Sequence, residues 1–185
     1  MSKITHKRIV IIGSAGTGKT TLFNKLTRLL KIKTIPEQAR IICKNLGFKN
    51  IYEIKDQEKF RIKTLKEQIK IEEKYKEFLS DRSTIDCWIH WVRWSWGNTR
   101  TSDSEKYFKA AFKQACKYSH IIYIPRLFKP LEDGFRWNDS DYQNQLDRLF
   151  KEILLEWQLI NRTYIIKSKE LKERLKEALA FCQDS

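Results

Sequence analysis

The residues Gly13-Ser14-Ala15-Gly16-Thr17-Gly18-Lys19-Thr20-Thr21 satisfy the pattern G-x-x-x-x-G-K-[ST] through Gly13, Gly18, Lys19 and Thr20. The chemistry such a run can do is phosphate binding. Its glycines let successive backbone N–H groups turn toward one anion, and a helix N-terminus behind them adds partial positive charge. Lys19 would reach the β- and γ-phosphates of a nucleoside triphosphate, and the Thr20 hydroxyl would ligate Mg²⁺. A strand pattern before the motif and a helical one after it supply the context the motif needs.

Three further stretches could complete a reaction centre. In "TIPEQAR", Glu37 could accept the proton of an attacking hydroxyl, or orient it. Arg40 follows one helical turn later and would face the same way. The two could equally form an ordinary surface pair. In "YKEFLSDRS", Asp81 would sit at the C-terminal end of a strand, where open α/β sheets place their ligands. It would hold Mg²⁺ while Arg82 points at acceptor or phosphate; as an alternative, Asp81 caps the next helix. In "PRLFKPLEDGFRWNDSDYQ", Arg126, Lys129 and Arg136 would ride on a lid loop over about 126–138 and neutralise charge on the transferred group. A solvated basic loop would read the same way.

The run "DCWIHWVRWSWGNTR" puts Trp88, Trp91, Trp94 and Trp96 within nine residues, beside His90. On a helix, Trp88, Trp91 and Val92 share one face while Arg93 and Trp96 lie elsewhere. An apolar stripe spans little more than 100°, so four tryptophans cannot all be core. Trp88 and Trp91 are the candidates for stacking on an acceptor ring, against the competing readings of plain core packing or a nucleic-acid platform. His90 reads as a partly buried polar residue rather than a base.

Short β-type runs alternate with helical ones along the chain. Strands are expected at 7–13, 33–36, 75–81, 119–125 and 163–168, and helices at 19–31, 37–47, 56–74, from about 83, at 104–118, at 139–160 and at the C-terminus. Five strands alternating with helices predict an α/β P-loop fold, a parallel sheet covered on both faces. The 185 residues, 41% hydrophobic, suffice for a single domain over 1–185 with a full core. No apolar run approaches the length of a membrane span. The segment "MSKITHKRIVIIG" reads as a strand rather than a signal peptide. Cys43, Cys87, Cys116 and Cys182 are scattered without metal spacing, which fits free thiols in a reducing, cytoplasmic setting. A net charge of +14 favours polyanionic partners, nucleic acid or phosphorylated metabolites, although the lysines form no block.

Among P-loop proteins, a GTPase should carry N-K-x-D and D-x-x-G. The only Asn-Lys pair, Asn24-Lys25, lies inside the first helix, and no D-x-x-G occurs. Ring-forming motor ATPases need more chain. A kinase using ATP, with GTP not excluded by any motif, is the remaining class.

The loop Gly13–Thr21, "PEQAR", "DRSTID" and "EDGFRWNDSDYQ", in that order, resemble the small P-loop kinase-like family that includes the ribosylnicotinamide kinase domain of NadR and the Ttd-type nucleotide-binding proteins. More distantly they look like deoxynucleoside kinases. The resemblance implies a five-stranded nucleoside-kinase-like sheet in strand order 2-3-1-4-5 with an arginine-bearing lid. It also implies an acceptor-side role for Glu37, a Mg²⁺-side role for Asp81, a substrate-side role for Arg82, and an adenine passing near Lys167 and Ser168. The family includes nucleoside kinases and proteins known as nucleotide binders. Three functions therefore remain open: a nucleoside-type kinase acting on nicotinamide riboside or another nucleoside or nucleotide, a polynucleotide 5′-end kinase, and a non-catalytic nucleotide-binding switch.

Overall fold

Strand β1 (Arg8–Ile12) reads RIVII, and four of its five residues are fully buried. A β-branched run of this kind suits a central parallel strand covered on both faces. In the computed structural model, which describes residues 6–95, 99–127 and 140–183, β1 pairs in parallel with β3 (Phe78–Asp81) and β4 (His120–Tyr123). The strands β2 (Lys33–Ile35) and β5 (Thr163–Ile165) form the edges. The order β2-β3-β1-β4-β5 is the one expected. Because the chain moves first to one side of β1 and later to the other, the strand order reverses there, and a crevice opens beyond the strands' C-terminal ends.

Alternation along β1 divides the core. Ile9 and Ile11 face α1 (Lys19–Leu26) and α7 (Leu171–Gln183), packing with Leu22, Leu26 and Ala178. Val10 and Ile12 face the larger core formed with α3 (Gln57–Glu73), α4 (Thr84–Ser95), α5 (Thr101–Ala115) and α6 (Ser140–Glu156). A smaller cluster joins Ile42 and Cys43 of α2 (Gln38–Asn45) to Ile54 and Phe60.

Several boundaries differ from the pattern. The helix expected over 19–31 ends at Leu26, and turns then carry Leu30 and Ile32 into the core beneath α1. The strand expected from 75 begins at Phe78, because Tyr75 still donates to the Glu72 carbonyl in the turn leaving α3. The strand expected to reach 168 stops at Ile165, and Lys167 and Ser168 instead donate backbone N–H bonds to Glu177. Among the described residues no helix is long and apolar enough to cross a membrane, and Cys43, Cys87, Cys116 and Cys182 are free.

Candidate active site

The loop between β1 and α1 begins with Gly13 at φ 140°, where an added Cβ would lie 2.4 Å from the Ile124 carbonyl oxygen. Glycine is required because no side chain fits between the ends of β1 and β4. Gly18, at φ 86° and in the left-handed region, turns the chain into α1. Thr17 Oγ1 donates to the Ser14 carbonyl at 3.1 Å. The Lys19 ammonium folds back onto that carbonyl and onto Thr17 Oγ1, which holds it in the loop's concavity.

Asp81 closes β3, and Thr20 Oγ1 donates to its Oδ2 at 2.7 Å. Asp81 Oδ1 and Ser14 Oγ are buried with no hydrogen-bond partner. An unsatisfied buried carboxylate oxygen beside a hydroxyl is a costly arrangement. It is also the oxygen donor set that a hard divalent cation takes. The residues present therefore fit a Mg-nucleotide: Thr20 and Asp81 for the cation, Gly13–Thr21 for the phosphates.

Arg82 follows at φ 90°, an uncommon setting for a side-chain-bearing residue. Its Nη1 donates to the Gly13 carbonyl at 2.7 Å and to Asp86 Oδ1 at 2.8 Å, and its Nε lies 3.6 Å from Glu37 Oε1. Ser83 Oγ completes the brace by donating to Asp86 Oδ2. Glu37, just before α2, is 7% exposed and also pairs with Arg40 at 3.5 Å. Arg82 thus ties Glu37, from the end of β2, to the phosphate loop, and Thr20 ties Asp81 to the same loop.

A cavity of about 370 Å³ opens from Ala15, Glu37 and Arg82. It runs between α3 and α4, lined farther in by Phe60, Arg61, Gln68, His90, Trp94 and Tyr107. Burial first, then the charges of Arg82, Arg61 and Lys19, hold the His90 pKa well below its ordinary value. The imidazole is therefore neutral at physiological pH. Gln68 Nε2 donates to Glu72 and to Ser80. Glu72 is fully buried, accepts from Gln114 and Tyr118 as well, and has its pKa pushed up to about 7 by burial.

The tryptophan expectations need correction. Trp91 is fully buried, stacks on Tyr107 with ring centroids 4.2 Å apart and donates Nε1–H to Ser104. Trp88 packs edge-on against Phe108. Neither lines the cavity, because that side of α4 meets α5; among the described tryptophans, Trp94, one turn beyond His90, does. A nucleic-acid platform therefore gains no support from Trp88 and Trp91. Arg40, half exposed, reaches the site through Glu37 rather than through the cavity wall. Arg126 is turned onto α6, donating to Asn144 at 2.9 Å, with its backbone N–H on Asp147. Trp96, Lys129, Arg136 and most of the lid loop lie outside the described residues.

Sequence reasoning quoted Asp86 within "DRSTID" but gave it no role, and it missed Arg61, Gln68, Tyr107 and Arg174. The spacing Arg82–Asp86–His90–Trp94 is a run of i,i+4 steps that marks one face of α4. Arg174 is nearly buried and donates to the carbonyls of Thr17, Ser168 and Lys169. No local signal announces a bond spanning 157 residues.

A family model described as an AAA domain matches residues 8–174. The chain belongs to that AAA domain family. It carries the family's P-loop fold, and its structural neighbours are kinases. A crystal structure of NadR protein in complex with NR superposes with a TM-score of 0.77 at 17% identity, over 97% of this chain and 52% of that one. The chain thus spans about half the length of the NadR chain it matches. Deoxyadenosine kinase from M. mycoides with bound dATP gives 0.63 at 16% identity, over 93% and 97% of the two chains. Thymidylate kinase from Ehrlichia chaffeensis gives 0.61 at 15%, over 96% and 99%. Among curated proteins, none matches the sequence.

Proposed function

We propose that this chain is an ATP-dependent phosphotransferase, a single P-loop domain that moves the γ-phosphoryl group to the hydroxyl of a nucleoside-like acceptor. The observation that carries this reading is the cavity mouth. Glu37 and Arg82 line it beside Ala15 of the phosphate loop, so an acceptor in the cavity would meet the terminal phosphate held by that loop.

In this reading Gly13–Thr21 and Lys19 hold the triphosphate. Thr20 and Asp81 would hold Mg²⁺, which supplies charge neutralisation at the β- and γ-oxygens. Glu37 accepts the acceptor's proton as the new O–P bond forms; the bond from phosphorus to the β,γ-bridging oxygen breaks, and its electrons leave with ADP. Arg82 orients Glu37 and Asp86, and the aromatic walls exclude water. The basic lid residues Arg126 and Arg136 would approach the transferred group on closure. GTP is the alternative donor. The free cysteines and the kinase-like neighbours support a cytoplasmic setting.

The test is acceptor-stimulated ADP release across a panel of nucleosides, nucleotides, nicotinamide riboside and single-stranded oligonucleotides. Stimulation by a small acceptor, lost in Lys19→Ala, supports the proposal. Stimulation by oligonucleotides alone would favour the 5′-end kinase. Tight ATP binding with no stimulation by any acceptor would leave a nucleotide-binding switch.

A further inference from the structure

The cavity walls carry three guanidinium groups, Arg61, Arg82 and Arg93, against two carboxylates, Glu37 and Asp86. Both carboxylates are engaged by Arg82. Among the described residues none forms an ion pair with Arg61 or Arg93. Arg61 instead lies over the Trp94 ring at 5.4 Å, with Nη2 in a long hydrogen bond to Gln57 Oε1 at 3.5 Å and a buried Nε that has no hydrogen-bond partner among the described residues. Arg93 lies over the Tyr142 ring at 5.5 Å. A guanidinium stacked on an aromatic face keeps its in-plane N–H groups available for a planar or tetrahedral oxyanion. His90, also on the cavity wall, has its pKa lowered by burial first and then by the charges of Arg82, Arg61 and Lys19.

Arg93 lies near the C-terminal end of α4, whose start adjoins the Asp81–Arg82 strand end, and Arg61 is brought to the same end of the helix by its contact with Trp94. On α4, Arg93 stands seven residues beyond Asp86, about 10 Å along the axis. That leaves room for a sugar and a ring between them.

Resting on the kinase reading above, we infer that the acceptor carries an anionic group, a carboxylate or a phosphate, on the end remote from its reacting hydroxyl. Arg61 and Arg93 bind that group, and a cationic acceptor such as nicotinamide riboside is disfavoured. The specificity therefore lies in charge as much as in shape. Burying an unpaired cation opposite a second positive charge costs more than any stacking contact returns.

The experiment compares ribosides of similar size on the full chain with Mg-ATP: uridine (neutral), nicotinamide riboside (cationic), 5-carboxyuridine (carboxylate on the ring edge away from the sugar) and 5-phosphonouridine (phosphonate at the same place, standing for phosphate). Equilibrium binding of each to the ADP-loaded protein is measured alongside turnover. The expected result is a preference of about tenfold or more for one or both anionic acceptors over uridine; the carboxylate against the phosphonate tells the two anion classes apart. That ratio should fall to near one in Arg61→Gln and Arg93→Gln and be partly restored in Arg61→Lys. ATP affinity and Tm serve as controls for folding. Equal or better use of uridine or nicotinamide riboside, or a preference that survives both glutamine variants, overturns the inference while leaving the kinase reading intact. Arginine-dependent binding of the anionic probes without any turnover would sink the kinase reading and leave the anion site standing. No binding of either anion would overturn the inference whatever else turns over.

Discussion

Arg82 Nε lies 3.6 Å from Glu37 Oε1, with both side chains almost wholly buried. The pair joins the end of β2 to the start of α4 at the mouth of the cavity. A carboxylate so placed turns one oxygen to Arg82 and the other to the side of Arg40, at 3.5 Å. Glu37→Gln should therefore cut kcat by about 10²- to 10⁴-fold and leave ATP affinity within about threefold of wild type, as read by steady-state kinetics and calorimetry. A large loss of ATP binding would mean that Glu37 holds the loop rather than the acceptor's proton.

The Thr20–Asp81 hydrogen bond and the unsatisfied Asp81 Oδ1 lead to a metal-specific expectation. In Asp81→Asn, the gain in ATP affinity on replacing EDTA by Mg²⁺ should shrink by about tenfold, while affinity in EDTA changes little. Equal losses under both conditions would point to damaged folding of β3 instead.

Trp91 and Trp94 sit three residues apart in chemically different places. Trp91→Ala should cost about 3–5 kcal/mol of stability by emptying the stack on Tyr107. Trp94→Ala, which removes an edge-on contact to Trp91 and the ring under Arg61, should cost clearly less stability than Trp91→Ala and raise the acceptor KM by about tenfold. Urea melts and acceptor titrations separate the two, and a reversed pattern would return Trp91 to the acceptor.

Glu72 gives a pH signature. Its folded pKa is raised to about 7 by burial, so the folded state binds a proton more tightly than the unfolded chain does. The stability it contributes is complete below the unfolded pKa near 4.5 and is lost as pH rises through about 7. Tm should fall by roughly 5 °C across that window, and Glu72→Gln should flatten the slope. An unchanged slope in the variant would assign the pH dependence elsewhere.

The parts of this site legible in the sequence are those fixed by backbone geometry over a few residues. The glycines of the phosphate loop, Lys19, and the acids at two strand ends, Glu37 and Asp81, follow from local pattern, and the sheet from alternating runs of β and helical periodicity. The strand order came through the resemblance to known kinases rather than from any spacing. The cavity wall was less visible because it is tertiary. Periodicity tells which residues of α4 share a face, but not that α5 would cover the Trp88 and Trp91 side and leave Trp94 to the cavity. Arg61 and Gln68 looked like the polar face of a solvated helix, since nothing in α3 itself signals that a hollow lies beside them.

Arg174 gathers the carbonyls of Thr17, Ser168 and Lys169 onto one guanidinium, joining the phosphate loop to the segment that leaves β5. The two segments are thereby kept in step, like the fixed jaws of a gauge. If the proposed function holds, the spacing between the phosphate loop and the segment proposed to pass near a base would be set before any nucleotide arrives. Little of the energy of nucleotide capture would then be spent on arranging these two walls.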